Sequence, residues 1–327
     1  MNMKKISIIG AGSWGTTLAI LAAGNGNDVT LWVREKEIMQ TINEKRENKD
    51  YLPGVKIPNK VHAENSIEKA ISNADAVVNA IPAQFTREIA KKYSKYVNCD
   101  VVVNVAKGIE IGTYKRMSEV LKEELGDISI VTLSGPNHSE EVSRKMPTAT
   151  VIASEDVNCL KNIKKIFHTN YFRVFTHDDI IGIEICGALK NITAIATGVC
   201  DGLGYGDNAK ASIITIGLME MSTYGRFLGA KRATFYGLAG VGDLVATCTS
   251  KHSRNRLVGE KIAGGKKIDD IRKEMKGMIA EGMQTTKAVY EFSKKNNLYM
   301  PLTEQAYHVI YENKDLKEAI SDLLKIE

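Results

Sequence analysis

The stretch KISIIGAGSWGTTLAILAAGNGNDVTLWVRE, residues 5–35, decides the fold. An Ile-rich opening predicts a strand over Lys5–Ile9. Gly10-Ala-Gly12-Ser-Trp-Gly15 follows at once, and a helical run from Ser13 to Ala23 ends at Gly24-Asn-Gly26 before a second strand, Asp28–Val33. This is GxGxxG in a strand–turn–helix–strand setting. The first glycine makes the turn, the second lets backbone approach a diphosphate, and the third lets helix and strand pack closely. The helix start adds unpaired N–H groups and the positive end of a dipole. A Walker-type phosphate loop is excluded, because Thr16 stands where its lysine would be.

Working outward, five more β-branched runs alternate with helical segments: Ala76–Ala80, Val101–Val105, Ser129–Leu133, Thr148–Ala153 and Arg173–Thr176. Several are apolar at nearly every position, as strands covered by helices on both faces should be. After Asp178 helical spacing rich in Ile, Ala, Met and Leu takes over. The expectation is an α/β chain: a Rossmann-type doubly wound sheet over residues 1–177, then an all-helical domain over 178–327. Asp178 or Asp179 suits the N-cap of the first long helix, Pro301 the first turn of a later one, and Gly264-Gly265 a break between. Two domains fit 327 residues, and 43% hydrophobic with 25% charged residues is a globular composition.

Charge and cysteines narrow the classes further. A net charge of +5, spread as lysine pairs with acids between them, does not form a nucleic-acid stripe but suits anionic substrates. Five widely spaced cysteines without CxxC argue against a disulfide framework or a thiolate metal site, and the six histidines lack HExxH spacing, so no metal is expected. The N-terminus reads as a strand rather than a signal peptide, and no uninterrupted apolar stretch reaches the ~20 residues of a membrane span. A cytoplasmic protein without membrane insertion is expected.

Cofactor selectivity should be set past the second strand, where an acid would hydrogen-bond a ribose diol and an arginine would favour a 2′-phosphate. Arg34 and Glu35 offer both, predicting tolerance of NAD and NADP. Ligands in open parallel sheets bind beyond the carboxyl ends of strands, which makes Lys107 and the small polar run Ser134-Gly-Pro-Asn137-His-Ser139 candidate contacts.

In the helical half, the only charged side chains from Ile180 to Cys200 are Glu184 and Lys190. Six residues apart on a helix, they point roughly 120° from each other and should not pair. Burial would lower the pKa of Lys190 toward neutrality, as a proton donor to a ketone oxygen requires; the alternative is a core lysine satisfied by a structural carboxylate. Gly240-Val-Gly242-Asp243 reads as a tight glycine turn presenting a carboxylate that could orient Lys190. Ten residues on, Ser253-Arg254-Asn255 offers a guanidinium fork, a hydroxyl and an amide to a phosphate; a helix cap would explain Ser253 alone. Cys248 reads as a packing residue.

Gly10-Ala-Gly-Ser-Trp-Gly15-Thr, Val105-Ala-Lys107-Gly-Ile-Glu110, Ser134-Gly-Pro136, Gly187-Ala-Leu-Lys190-Asn191, Gly240-Val-Gly-Asp243-Leu and Ser253-Arg254-Asn255 together resemble the NAD(P)-dependent glycerol-3-phosphate dehydrogenases, in order and across nearly the whole chain. The resemblance implies hydride transfer between dihydroxyacetone phosphate and sn-glycerol 3-phosphate, which feeds phospholipid synthesis. It also implies a helical domain like that of 6-phosphogluconate dehydrogenases, and a homodimer is the default expectation. By the same resemblance Lys190 is the proton donor and acceptor. Lys107, Gly135, Asn137, Lys190, Asp243, Ser253, Arg254 and Asn255 hold substrate. Gly10, Gly12, Ser13, Trp14, Gly15, Arg34, Lys107, Ser139, Arg254, Ile279 and Glu281 contact NAD or NADP. The family commonly has alanine where this chain has Ser139. The rivals are a 3-hydroxyacid or sugar-acid dehydrogenase, against which the Ser253-Arg254-Asn255 grip argues, and a non-catalytic nicotinamide-binding sensor, which Lys190, Asp243 and Arg254 together disfavour.

Overall fold

The computed structural model describes residues 4–275, 280–323 and 325. Two compact units emerge: residues up to Ala106 with Met117–Ile180, and Lys107–Arg116 with Ile181 onward. The second join lies three residues past the expected 177/178 boundary. The difference is the excursion Lys107–Arg116, which leaves the first unit after a strand and packs in the second, so the 1–177 segment is not one continuous domain.

The first unit contains β1 (Lys5–Ile9), α1 (Ser13–Gly24), β2 (Asp28–Trp32), α2 (Lys36–Lys45), β3 (Glu47–Asn48), β4 (Leu52–Lys56), β5 (Val61–Glu64) and α3 (Ile67–Ile71). It continues with β6 (Ala76–Asn79), α4 (Ala83–Tyr93), β7 (Val101–Asn104), α5 (Met117–Leu125), β8 (Ser129–Ser134), α6 (Ser139–Ser143), β9 (Thr148–Ser154), α7 (Val157–Phe167) and β10 (Phe172–His177). One eight-stranded sheet has the order β10-β9-β8-β7-β6-β1-β2-β5. Both faces are covered: Ile6, Ile8, Val78 and Val103 pack in one cluster, and Ile9, Val77 and Val102 in another. From β1 the chain turns to β2 on one side and later returns to β6 on the other. The β1/β6 edge is therefore the topological switch point, where ligands bind in such sheets.

The sheet departs from the sequence reading in two ways. The β8–β9 pair is antiparallel, so β9 and β10 run against the rest while parallel to each other. Between β8 and β9 the only helix is the five-residue α6, whereas the eleven-residue α7 carries a crossover from β9 to β10. Strands β3, β4 and β5 were not expected. β5 is a four-residue edge strand, and Pro53-Gly54 inside β4 reads as a turn.

The second unit is helical: α8 (Ile180–Gly202), α9 (Asp207–Phe227), α10 (Asp243–Thr249), α11 (Arg254–Ala263), α12 (Ile268–Glu274), α13 (Glu281–Lys295), α14 (Pro301–Tyr311) and α15 (Leu316–Leu323). Among the described residues α8 alone is long and apolar enough to cross a membrane, but 89% of its most apolar window is buried inside the structure, which makes it a core helix. Pro301 opens α14, Gly264 caps α11, and the buried Glu220 of α9 accepts hydrogen bonds from the Leu302 and Thr303 N–H groups at the start of α14.

Helices α8 and α11 meet backbone to backbone. A Cβ on Gly198 would lie 1.9 Å from the Arg256 carbonyl oxygen, and one on Gly259 would lie 2.0 Å from that of Ile195. Neither oxygen can yield without moving a helix. Replacing Gly198 by alanine gains about 1 kcal/mol of helix propensity and loses more to overpacking, which typically costs about 1–3 kcal/mol. Gly198→Ala is expected to lower the unfolding free energy of this unit by up to about 2 kcal/mol, read by denaturant titration; a stabilised variant would refute the contact.

Candidate active site

Two clusters carry the chemistry, one in each unit. In the first, β1 ends at Ile9 on the switch-point edge, Gly10 follows it, and α1 starts at Ser13 with Gly12 as its N-cap. That cap has no side-chain hydrogen bond, and the first turn contains no acid, so the helix end is left open to an anion. A Cβ on Gly15 would sit 1.9 Å from the Gly10 carbonyl oxygen, whereas one on Gly12 would meet nothing within 4 Å. Gly15 is thus small for packing, and Gly12 is small beside open space, as the close approach of a diphosphate would require. The loop is braced from β3: the buried Asn48 amide donates to the Ala11 carbonyl and to Thr16 Oγ1, each at 2.9 Å. Sequence reasoning missed Asn48, since nothing local marks a two-residue strand.

Other expected cofactor residues take varied positions. The Trp14 ring packs near Phe172, centroids 6.2 Å apart, and its buried indole N–H has no hydrogen-bond partner among the described residues. Arg34 is 78% exposed, and its Nε donates to Glu35 at 2.7 Å, so the two selectivity candidates form one ion pair. The buried Ser139 opens α6. Gly135 lies close against Thr150, and the Asn137 amide donates to Thr150 Oγ1 at 3.1 Å. Glu281 is the first residue of α13 in the second unit, and Ile279 lies outside the described residues.

In the second unit the centre is Asp243, 2% exposed, at the first position of α10. The sequence suggested a tight glycine turn before it; the structure has instead a wide π-helical turn, Leu238–Gly242, which runs directly into α10. Asp243 Oδ1 accepts from Lys190 Nζ at 2.5 Å and Oδ2 from Lys107 Nζ at 2.8 Å. Lys190, 5% exposed on α8, also donates to Thr247 Oγ1 at 2.7 Å. Thr247 lies one turn after Asp243 on the same helix, a spacing that could have revealed it from sequence. Burial pulls the Lys190 pKa down, Asp243 opposes this and Lys107 adds to it, leaving it at about 8. Burial alone would raise Asp243, but the two ammoniums hold it below the usual carboxylate range. Cys248 beside them is pushed up to about 12 by burial, so its thiol stays protonated, as a packing residue should.

The phosphate-grip candidates divide. Ser253 N-caps α11, its Oγ accepting from the Arg256 N–H at 3.2 Å, which leaves the hydroxyl hydrogen to donate elsewhere. Asn255 acts as a brace: its amide donates to Asn191 Oδ1 at 2.9 Å, and its Oδ1 accepts from the Gly282 N–H at 2.9 Å. Asn191 in turn donates to the Gly187 and Lys107 carbonyls at 3.3 and 3.4 Å. Arg254 is exposed and forms no ion pair or hydrogen bond among the described residues. The sequence reading quoted Asn191 but gave it no task.

A switch-point glycine loop under an open helix end, followed by a helical unit that buries an ammonium on a carboxylate, defines the class of nicotinamide-dependent dehydrogenases. Comparison with known proteins narrows it. Residues 5–160 match the family profile described as the NAD-dependent glycerol-3-phosphate dehydrogenase N-terminus, and residues 179–321 match that of its C-terminus. The chain is 48% identical over 326 residues to the glycerol-3-phosphate dehydrogenase [NAD(P)+] of Chlorobium limicola, covering 98% of each. Among solved structures, the glycerol-3-phosphate dehydrogenase of Coxiella burnetii is similar with a TM-score of 0.95 at 34% identity over 99% of both chains. That of Saccharomyces cerevisiae gives 0.83 at 32% identity, over 98% of this chain and 99% of the other. The chain belongs to the NAD-dependent glycerol-3-phosphate dehydrogenase family.

The glycine pair separates binding from folding. Gly12→Ala is expected to keep the unfolding free energy within about 1 kcal/mol while weakening dinucleotide binding by about tenfold or more. Gly15→Ala should destabilise the unit itself. Calorimetric titration with NADH on the folded Gly12 variant checks this, and an unchanged Kd would remove the loop from the cofactor site.

Proposed function

We propose that this chain interconverts dihydroxyacetone phosphate and sn-glycerol 3-phosphate with NAD or NADP, and that Lys190 exchanges the proton. The reading is carried by the buried Lys190 ammonium on Asp243, with a pKa of about 8, in a chain of this family. A bound nicotinamide dinucleotide supplies or accepts the hydride. In the reducing direction Lys190 Nζ donates its proton to the substrate oxygen as the carbonyl carbon gains hydride; in the oxidising direction the neutral amine removes it. Asp243 orients the amine, and Thr247 takes a second N–H, so the amine is fixed before substrate arrives. Lys107 adds positive charge suited to a phosphorylated ketone.

Arg254, exposed and without an ion pair among the described residues, is proposed to hold the phosphate dianion through its planar fork. Ser253 contributes its hydroxyl hydrogen. Gly135 and Asn137 in the first unit, and Asn255 in the second, remain proposed substrate contacts, with Asn255 acting through its brace. The Arg34–Glu35 pair supports use of either dinucleotide: the guanidinium is available to a 2′-phosphate, the carboxylate to a ribose diol. A cytoplasmic location is proposed on five free thiols, a homodimer on the prevalence of two-fold assemblies, and a role in supplying glycerol phosphate for phospholipid synthesis on family membership.

Because the donor must be protonated, turnover of dihydroxyacetone phosphate should be level below pH of about 8 and fall as pH rises through it; glycerol 3-phosphate oxidation should rise over the same interval. Lys190→Ala is expected to cost about 100- to 10,000-fold in kcat, to abolish that inflection and to leave the NADH Kd unchanged. Near-normal kcat in this variant would overturn the assignment. Arg254→Gln should act on substrate instead, raising KM for dihydroxyacetone phosphate by about tenfold or more, since a hydrogen bond to a charged group contributes about 1.5–3 kcal/mol. An unchanged KM would remove Arg254 from the phosphate site.

A further inference from the structure

Glu184, the other charge between Ile180 and Cys200 on α8, has no place in the chemistry described so far, yet its side chain is only 3% exposed. Its carboxylate accepts from Arg116 Nη1 at 2.7 Å, and the Arg116 side chain is only 9% exposed. Arg116 closes the excursion that Lys107 opens. Between them the chain folds back on itself: the Glu110 N–H donates to the Lys115 carbonyl at 3.0 Å, and the Tyr114 N–H donates to that of Glu110 at 2.9 Å. Ile109 bridges Arg116 across the two arms. The left-handed residues Gly112 and Tyr114, at φ 86 and 60°, turn the tip, and the Tyr114 ring meets Phe292 of α13 edge-on, 5.8 Å between centroids. Fixing Arg116 therefore fixes Ile109, and Lys107 stands two residues before it.

We infer that the buried Arg116–Glu184 pair is a positioning device, clamping the 107–116 excursion to α8 so that Lys107 remains on the Asp243 carboxylate. α8 then holds both ends of the excursion. Glu184 grips the returning arm, and Asn191, roughly 10 Å further along the helix axis, donates to the carbonyl of Lys107 itself. Stability alone gives little reason for the pair. Two well-packed apolar side chains of similar volume often serve a buried site as well or better, because each ion pays a desolvation cost. A charged pair supplies something an apolar contact lacks, a directed bond of fixed length.

The inference rests on the proposed role of Lys190, and its test separates the two. Among the described residues, the charged and titratable groups around the Lys190 amine are Asp243, Lys107 and the Cys248 thiol. Of these, Lys107 lies on the excursion that Glu184 holds. Loosening that excursion should withdraw the positive charge that depresses Lys190, moving the inflection of dihydroxyacetone phosphate reduction to higher pH. Glu184→Gln is expected to lower kcat by about tenfold, since small misplacements of this kind cost about that much or more, with the NADH Kd unchanged. In a Lys107→Ala background the same substitution should add neither a loss of kcat nor a shift, because the effect passes through Lys107. Arg116→Lys, which keeps the charge, should fold where Glu184→Gln does not and should shift the inflection in the same direction by less. A wild-type kcat and inflection with only a lowered melting temperature, or equal losses with and without Lys107, would overturn the inference. A fully active Lys190→Ala enzyme would overturn the reading beneath it.

Discussion

A carboxylate with almost no contact with water, held between two ammoniums, is the constraint on which the second unit is built. Asp243 sits at a helix start, with Lys190 on one oxygen and Lys107 on the other. Burying three charges is costly unless the geometry is nearly ideal. Three pieces of chain far apart in sequence must therefore arrive within hydrogen-bond reach of one another. α8 must be a continuous helix through Lys190. The π-helical turn must deliver Asp243 at the first position of α10, where its carboxylate meets both lysines. The chain must also leave β7 and enter the second unit at Lys107 rather than at the main boundary. With two cations and one anion the cluster keeps an excess positive charge, which a phosphorylated ketone can complement.

The same precision is needed beside it, where α11 starts at Arg254. Glycines at the α8–α11 contact bring the two backbones together, and the Asn191–Asn255–Gly282 chain of amide hydrogen bonds ties α8, α11 and α13. An amide is well suited to this task because it donates and accepts without carrying charge. Placed among lysines and a carboxylate, it transmits position without disturbing their titration. Asn191, next to the proposed proton donor, and Asn255, next to the proposed phosphate anchor, are thus joined to each other, and the start of α11 is set from the helix that carries Lys190.

Much of this was legible in the sequence because it rests on local patterns. The glycine loop, seven of the eight strands of the main sheet and the all-helical character of the second half follow from periodicity and punctuation. The seclusion of Lys190 follows from its apolar neighbours. What was not legible depends on pairing across distance. β5 has only four residues, β3 has two, and Asn48 gains its meaning from the Ala11 carbonyl 37 residues earlier in the chain. The reversal of β9 and β10 follows from the brevity of α6, a matter of connection length rather than of strand composition. Lys107 was placed correctly past a strand end, but membership of the second unit is a property of what its excursion packs against. Glu184 was seen to point away from Lys190, and its partner Arg116 could not be deduced without the fold.

The two cations assigned to chemistry and to binding differ in the way their tasks demand. A proton donor must be able to give up its charge, which a lysine can do, and burial brings Lys190, the residue proposed for it, to a pKa of about 8. A phosphate anchor must never lose its charge and must match three oxygens in direction, which an arginine suits, and Arg254, the residue proposed for it, is exposed. Exchanging the two environments would ruin both: an exposed lysine would hold its proton too tightly, and a buried arginine would pair with protein rather than substrate. The placement of Lys190 inside α8 and of Arg254 on the rim of α11 matches what the two proposed tasks require, and the close contact of those two helices is what would allow one scaffold to meet both.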